Sequence, residues 1–222
     1  MDLSFEHENV NAILQCWYSG QAGGKAFADI IFGDAVPSGK LPVTFYKDGT
    51  QPDINDYSMK GRTYRYLPVD PLYPFGYGLS YNKYSYKDMS VTASDDSYVC
   101  HVTVENNGSY AGEEVVEVYV SNDAAEKLSN GKNSSVENLD SMLDPANQPK
   151  YSLAGFARVS LAAGESKVVD ITLGEMAFDT VLEDGRRVKL SGSYKVYVGG
   201  QQPDSRSTAL TGSECLETVV NI

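Results

Sequence analysis

The sequence has 222 residues, of which 41% are hydrophobic and 22% charged, so it suits one large domain or two small ones with a buried core. Its formal net charge is −12, from 30 acidic and 18 basic residues. This acidity argues against nucleic-acid partners and against anionic membrane surfaces, since both attract clustered Lys and Arg.

Cysteine and histidine are too few and too scattered to predict a metal site or a disulfide framework. The three cysteines, Cys16, Cys100 and Cys215, lie far apart and have no C-x-x-C spacing. Cys100 falls within an alternating apolar run, which indicates a small buried side chain. With His7 and His101 as the two histidines, a histidine-rich metal site is excluded.

Membrane and export signals are also missing from the sequence. No apolar run approaches the roughly 18 residues that span a bilayer. The first ten residues lack the basic start and apolar stretch of a signal peptide. We therefore predict no membrane segment, and the sequence assigns no cellular location.

The first 46 residues show the pattern of a strand, a helix and a second strand. NAILQCW at 11–17 is short, apolar and bounded by polar residues, which predicts a buried strand. A helix is predicted within 20–33, where Gly33 is placed to end it and four apolar residues share one face: Ala26, Phe27, Ile30 and Ile31. LPVTF at 41–45 predicts the second strand. Because so small a unit is a poor core, we expect it to lean on a partner or on further residues of its own domain.

An aromatic stretch separates this partial α/β unit from the rest of the chain. We place the α/β remnant at 1–58 and an aromatic inter-domain joint at 59–82. The joint contains PLYPFGYGLSY at 71–81, which is too apolar for an ordinary surface loop. It is also too broken by proline and glycine for a regular helix or strand. A ligand-stacking platform and a structural joint both fit this composition.

Residues 83–222 show the period-two pattern of an antiparallel β-sandwich. Alternating apolar residues occur in SYVCHVTVEN, EEVVEVYVSN, SKVVDITL and GSYKVYVGG, with Asn, Gly and Asp turns between them. The Cys…Trp…Cys spacing of immunoglobulin domains is missing, which favours a fibronectin-III-like sandwich. Segment 121–150 lacks clear periodicity and is predicted to be a long polar insertion. Asn107 and Asn133 begin two glycosylation sequons, a pattern with many false positives.

Two short segments of the α/β unit could bind a ligand, and each also has a structural interpretation. Trp17 and Tyr18 end the predicted first strand, where α/β sheets bind ligands, and aromatic faces suit sugars. Buried packing is the alternative. The glycine-rich segment 20–24 could cradle an anion at a helix start. It fits neither the dinucleotide-binding nor the P-loop pattern, which favours a tight turn.

Charged side chains offer further candidates. Arginines and tyrosines are interleaved in one short stretch, where they could stack, pair with a carboxylate or serve the structure: Arg62, Tyr64, Arg65 and Tyr66. The carboxylates of Asp29, Glu113 and Glu114 are predicted to be solvated. No pair of carboxyl groups at a catalytic separation can be identified from the sequence.

Two long segments resemble a known enzyme family. AILQCWYSGQAGGKAFADIIFGDAVPSGKLPVTF, followed by GRTYRYLPVDPLYPFGYGLSY, closely resembles glycoside hydrolase family 3, which contains β-glucosidases and β-xylosidases. The later stretches EEVVEVYVSN, YSLAGFARVSLAAGESKVVDITL and GSYKVYVGG resemble the fibronectin-III-like domain that follows the catalytic domains in many members. The departure from the family is segment 121–150, where relatives usually have a shorter connection.

The resemblance implies a (β/α)8 barrel, then an α/β sandwich domain, then this β-sandwich. It also implies a retaining mechanism, in which one carboxylate attacks the anomeric carbon and a second carboxyl protonates the leaving oxygen. The motifs of the nucleophilic Asp and the acid/base Glu do not occur in this sequence. Glu6 and Glu8 lack the family's acid/base context, so no residue is assigned as catalytic, cofactor-binding or metal-binding. No metal or organic cofactor is expected.

Three functions stay open at this point. The first is a non-catalytic, structural C-terminal portion of an exo-acting β-glycosidase that releases terminal β-linked glucose or xylose, inactive alone. The second is a free-standing carbohydrate-binding or adhesion module, with Trp17, Tyr18 and the tyrosine-rich joint as the face that binds oligosaccharide. The third is a structural subunit that pairs with a separate catalytic barrel chain. The expected partner is thus the missing barrel and α/β domain, in the same chain or another, or a second copy.

Overall fold

Two antiparallel β-sheets form the larger part of the molecule. A computed structural model describes residues 2–94, 97–121, 139–144 and 147–222. The first sheet has the strand order β1-β2-β5 and the second β4-β3-β8-β9, while β6 and β7 form a separate hairpin. The strands are β1 Tyr84–Ser94, β2 Ser97–Asn106, β3 Gly112–Ser121, β4 Tyr151–Leu161, β5 Ser166–Leu173, β6 Asp179–Val181, β7 Arg187–Lys189, β8 Ser193–Gly199 and β9 Leu216–Asn221.

The core lies between the two sheets and follows the alternation in the sequence. In β2, Cys100, Val102 and Val104 are fully buried. They belong to one cluster with Val118 of β3 and Val196 of β8. Burial raises the pKa of the Cys100 thiol to about 11, as expected for a small apolar side chain rather than a nucleophile. The predicted fibronectin-III-like antiparallel sandwich is confirmed.

A second, smaller core lies under the β6–β7 hairpin. Helix α4, Leu139–Met142, follows the part of the predicted insertion that falls outside the described residues. Leu139 and Leu143 pack against Leu182 and Leu190 of the hairpin region. This packing anchors the C-terminal end of the insertion to the sandwich. Of the two sequons, Asn133 lies outside the described residues, and Asn107 is exposed after β2.

The N-terminal part contains short helices and little sheet. The helices are α1 Ser4–Asn9, α2 Gly23–Phe32 and α3 Thr63–Tyr66, and α5 Ser205–Thr211 lies near the C-terminus. Helix α2 ends as predicted, with Gly33 in the left-handed conformation at a φ of 82°. No helix among the described residues is both long and apolar enough to cross a membrane.

Both strands predicted in the N-terminal part are wrong. Residues 11–17 form no strand, and in 41–45 only Phe45 makes an isolated bridge, to Tyr73. A strand exists through its hydrogen bonds to a neighbour, and the described chain offers residues 11–17 no such neighbour. The apolar pattern is real, but the described residues supply no sheet for it to join.

Candidate functional site: the seam between the two parts

Segment 71–81 lies between the N-terminal part and the sandwich. Pro71, Leu72, Pro74 and Gly76 are buried. Its backbone pairs with 41–45: Leu41 N–H donates to the Tyr77 carbonyl at 2.9 Å, Gly76 N–H to the Leu41 carbonyl at 2.8 Å, and Phe45 N–H to the Tyr73 carbonyl at 2.9 Å. We call this region the seam; it comprises 37–45, 71–81 and the residues that they contact in β3 and β4.

An aromatic stack crosses the seam. Phe75 stacks on Tyr64, with ring centroids 4.5 Å apart. Tyr64 in turn contacts Tyr119 of β3 at 6.0 Å and Tyr151 of β4 at 6.2 Å. Its hydroxyl accepts a hydrogen bond from the Leu153 backbone N–H at 3.0 Å. These rings contact one another and the strands, so their packing supports the joint interpretation of the aromatic stretch over a ligand platform.

A second aromatic group continues into the N-terminal part. Tyr73 and Tyr77 stack at 5.3 Å, and Tyr73 meets Phe45 edge-on at 6.3 Å. Trp17 lies 6.5 Å from Phe45, yet 52% of its surface is exposed, and its φ is +49°. Tyr18 beside it is fully exposed. The structure therefore places Trp17 at the margin of this group and not within a closed core.

Two carboxylates of β3 are buried in the seam. Glu114 is 3% exposed; its Oε1 lies 3.2 Å from Lys40 Nζ and accepts a hydrogen bond from the Tyr86 hydroxyl at 2.7 Å. Glu117 accepts a hydrogen bond from the Tyr119 hydroxyl at 2.7 Å. Burial raises the pKa of the Glu117 carboxyl above its ordinary value. The prediction that Glu114 is solvated is wrong, because Lys40 from a distant part of the chain covers and pairs it.

Glycines leave room for the close contacts in and beside the seam. A Cβ on Gly76 would overlap the Glu117 carboxylate, and a Cβ on Gly200 would overlap that of Glu114. A Cβ on Gly78 would overlap the backbone carbonyl of Gly39. Gly76 also has a φ of +77°, which other residues rarely adopt. The glycines that break the regular structure of 71–81 thus also permit close contact.

Further polar contacts join the two parts at the seam's edges. Arg158 of β4 donates to Glu113 at 2.7 Å and to the Ser38 hydroxyl at 3.1 Å. Lys150 Nζ donates to the Leu67 carbonyl at 2.6 Å. At the far end, Arg206 of α5 donates to the Leu72 carbonyl at 3.0 Å.

The other predicted candidates take structural positions. Gly23 N–H donates to the Gly20 carbonyl at 3.0 Å, which is the predicted tight turn. Arg62 donates to the backbone carbonyls of Asp53 and Asp56. Asp29, which is partly buried, pairs with the exposed Lys25 within α2.

The acid–base groups of the site are those of a packed interior. Burial raises the pKa of the Cys215 thiol to about 12, which removes it as a nucleophile at neutral pH. Glu6 and Glu8 both lie in α1. Among the described residues, no group of three or more His, Cys, Asp or Glu side chains could hold a metal ion. Sequence reasoning missed Lys40, Glu114 and Glu117 as seam residues; the three glutamates within the otherwise apolar run EEVVEVYV were the available signal.

Comparison with known families accounts for both parts of the molecule. A model of the glycosyl hydrolase family 3 C-terminal domain matches residues 1–81. A model of the fibronectin type III-like domain matches residues 114–202. The chain belongs to glycoside hydrolase family 3. The resemblance read from the sequence is thereby confirmed, and the match is to the family's C-terminal portion.

Curated relatives are much longer than this chain. It is 37% identical over 210 residues to a xylan 1,4-beta-xylosidase of Xylanibacter ruminicola, covering 93% of the chain but 22% of that protein. It is 32% identical to thermostable beta-glucosidase B of Acetivibrio thermocellus, covering 89% of the chain and 26% of that protein. The chain thus spans about a quarter of the length of these relatives.

The chain likewise covers only part of each solved structure that it matches. A beta-glucosidase from Streptomyces venezuelae, in complex with D-glucose, matches with a TM-score of 0.71 and 27% identity, over 93% of this chain and 25% of that one. A family 3 beta-glucosidase from Bifidobacterium adolescentis matches with a TM-score of 0.70 and 29% identity, over 94% of this chain and 29% of that one.

Proposed function

We propose that this chain is the non-catalytic C-terminal portion of a retaining, exo-acting β-glycosidase that releases terminal β-linked glucose or xylose. Its role is to complete the α/β domain of that enzyme and to brace it with the β-sandwich. The named relatives are β-xylosidases and β-glucosidases, which supports this substrate class. The carboxylates that perform the two displacement steps would lie in the enzyme's other domains.

The observation that carries this proposal is the apolar surface of the N-terminal part. On helix α2, Ile31 is 68% exposed and Phe32 is 81% exposed. Other large apolar side chains of this part are exposed as well: Phe5, Val10, Leu14, Val43, Ile54 and Tyr57. A concentration of this kind is typical of a surface that packs against another protein surface. The rest of a family 3 α/β domain is the surface that these residues would meet.

The seam supports the bracing role. Its aromatic stack and its buried Lys40–Glu114 pair tie the N-terminal part to β3 and β4, and its backbone bonds hold 41–45 against 71–81. A rigid connection of this kind would hold the exposed apolar face at a fixed orientation. The free-standing adhesion module is less favoured, because Phe75 and Tyr64, which it needs as a binding face, are used in internal packing.

A hydrolysis assay tests the proposed function. The purified chain is incubated with aryl β-glucosides and aryl β-xylosides, with a complete family 3 β-glucosidase at equal molarity as the positive control. We expect no saturable turnover from this chain. Hydrolysis that copurifies with the chain and saturates with substrate would overturn the proposal.

Co-purification tests whether the chain binds a separate catalytic polypeptide. If the catalytic domains are a separate polypeptide, the tagged chain should capture a barrel protein from its native extract in stoichiometric amounts. A self-associated chain without such a protein would indicate that the apolar face is covered by a second copy instead.

A further inference from the structure

Two carboxylates and one ammonium are buried together in the described part of the seam. Glu114 and Glu117 of β3 are 3% and 4% exposed, and Lys40 Nζ lies 3.2 Å from Glu114 Oε1. Of the described groups that face Glu117, Lys40 is the only cation; the others are Glu114 and Tyr119 of β3, Tyr64 of α3, Tyr86 of β1 and Cys215 before β9. If both carboxylates ionise, one negative charge is therefore buried without compensation.

The backbone that covers Glu117 leaves no room for water beneath it. Gly76 is buried, and a Cβ added there would overlap the Glu117 carboxylate and the Tyr119 hydroxyl. Because a water molecule needs at least as much space as a Cβ, none fits between the Gly76 backbone and that carboxylate. An ionised carboxylate that is neither hydrated nor paired is costly to bury, so the closed seam favours the protonated form of Glu117.

The cover over Glu117 can move away without unfolding the sandwich. Strand β3 is hydrogen-bonded to β4 on one side and to β8 on the other, whereas segment 71–81 bonds to 41–45. At the start of the edge strand β4, Lys150 N–H donates to the Arg65 carbonyl at 2.9 Å and Leu153 N–H to the Tyr64 hydroxyl at 3.0 Å. Segments held outside the main sheets open at a lower cost in free energy than core strands do.

We propose that the seam is a pH-dependent joint: protonation of Glu117 keeps α3 and 71–81 closed on the sandwich, and ionisation of Glu117 releases them while the two sheets stay folded. Lys40 cannot neutralise both carboxylates, so ionised Glu117 is hydrated only once Gly76 moves away. The consequence for the enzyme rests on the proposed function. Acidic pH would hold the brace rigid, and rising pH would let the apolar face turn relative to the sandwich.

The pH window of the joint follows from the pKa of Glu117 in its closed and open forms. In the closed form, burial raises the pKa of the Glu117 carboxyl, and in the open form, where water reaches it, that pKa returns to its ordinary value. The open fraction is therefore lowest below the ordinary Glu pKa. It rises with pH from there, by at most about tenfold per pH unit, and levels off above the closed-form pKa.

Hydrogen exchange of single amides, measured by NMR on the full 222-residue chain, tests the proposal. The Leu153 N–H reports on the seam, because its acceptor on Tyr64 moves away when the seam opens. The N–H of buried Val102 in β2, the central strand of its sheet, reports on global unfolding. Wild type and Glu117→Gln are compared at each pH between pH 4 and pH 8, so that the intrinsic pH dependence of amide exchange cancels.

We expect the Leu153 exchange rates of the two proteins to agree within about twofold at pH 4. As pH increases, the wild-type rate should rise above that of the variant, by up to about tenfold per pH unit, while Val102 exchanges much more slowly in both. Glu8→Gln, which neutralises an exposed glutamate of α1, is the matched control and should follow the wild type. Should Glu117→Gln fail to fold, the wild-type Leu153 rate relative to that of the urea-unfolded chain should still rise with pH.

Two results would overturn the pH-dependent joint. The first is a ratio of wild-type to Glu117→Gln exchange rates at Leu153 that stays constant across this pH range. The second is equal exchange rates for Leu153 and Val102, since the seam would then open only through global unfolding. Because exchange is measured without substrate or partner, either result leaves the hydrolysis test of the proposed function unaffected.

Discussion

Lys40 Nζ lies 3.2 Å from Glu114 Oε1, so that an ammonium of the N-terminal part meets a carboxylate of the sandwich within the seam. Both side chains are largely removed from water, at 12% and 5% exposure. A buried ion pair of this kind adds little net stability, but removal of one partner leaves the other charge buried without compensation.

We therefore expect Lys40→Met to lower the free energy of unfolding by about 3–5 kcal/mol. Urea denaturation measures the loss. Adding Glu114→Gln to Lys40→Met should restore part of the stability, because the uncompensated charge is then gone. Lys25→Met, which breaks the exposed Lys25–Asp29 pair on α2, should cost no more than about 0.5 kcal/mol. Equal losses of unfolding free energy in Lys40→Met and Lys25→Met would contradict a buried ion pair between Lys40 and Glu114.

Glu117 should make stability depend on pH. Its carboxyl is buried beside Tyr119, with Lys40 and Glu114 as the nearest charged neighbours, and burial raises its pKa. A raised folded-state pKa means that the folded protein binds the proton more tightly than the unfolded chain does. Its contribution to the free energy of unfolding is thus full below the ordinary Glu pKa. It declines as pH rises from there through the folded-state pKa.

The measurement is thermal unfolding of wild type and Glu117→Gln between pH 4 and pH 8. The variant cannot ionise at this position, so its stability should fall less over this range, and the difference should be largest at high pH. Glu113→Gln is the control, because Arg158 and Ser160 lower the pKa of the Glu113 carboxyl and give the opposite trend. Parallel profiles for wild type and Glu117→Gln would show that folding does not raise the pKa of Glu117.

Close backbone contact at Gly78 gives a steric prediction. An added Cβ would overlap the Gly39 carbonyl oxygen, which cannot move without the turn that carries it. Gly78→Ala should therefore destabilise the protein by about 1–3 kcal/mol. Gly39→Ala is the matched control, since its Cβ would meet nothing within 4 Å and so should be nearly neutral. If Gly78→Ala melts at the same temperature as the wild type, the backbones at Gly78 and Gly39 are not in contact.

Removing the hydroxyl of Tyr64 tests how closely α3 is tied to β4. That hydroxyl is the acceptor for the Leu153 N–H, so Tyr64→Phe leaves a backbone donor without its partner while the ring stack remains. We expect a loss of about 1–3 kcal/mol. Tyr57→Phe, at a site that is 93% exposed, should change stability by less than about 0.5 kcal/mol.

Local patterns in the sequence predicted the sandwich and helix α2. The alternation that buries Cys100, Val102 and Val104 is a property of β2 itself, and Gly33 ends α2 through its own backbone freedom. The strand predicted at 11–17 failed because a strand depends on neighbours that lie outside any local window. Similarly, Glu114 is buried by Lys40, and nothing near Glu114 in the sequence indicates that contact.

From the sequence, the joint interpretation of 59–82 depended on its position between an α/β pattern and a β-sandwich pattern. Its rings could be counted, but which rings stack depends on how the N-terminal part turns back to the sandwich. The Phe75–Tyr64 contact therefore required the structure.

The central claim is that the N-terminal part presents an apolar face to another protein surface. The most direct test is fluorescence of a hydrophobic dye on the purified chain, read together with its mass from light scattering, for wild type and for Ile31→Ser/Phe32→Ser. We predict that the wild type either binds the dye as a monomer or buries the face in an oligomer. If the wild type is a monomer, the variant should bind clearly less dye. If the wild type self-associates, the variant should form clearly less oligomer. A monodisperse wild-type monomer that binds no dye would contradict the account.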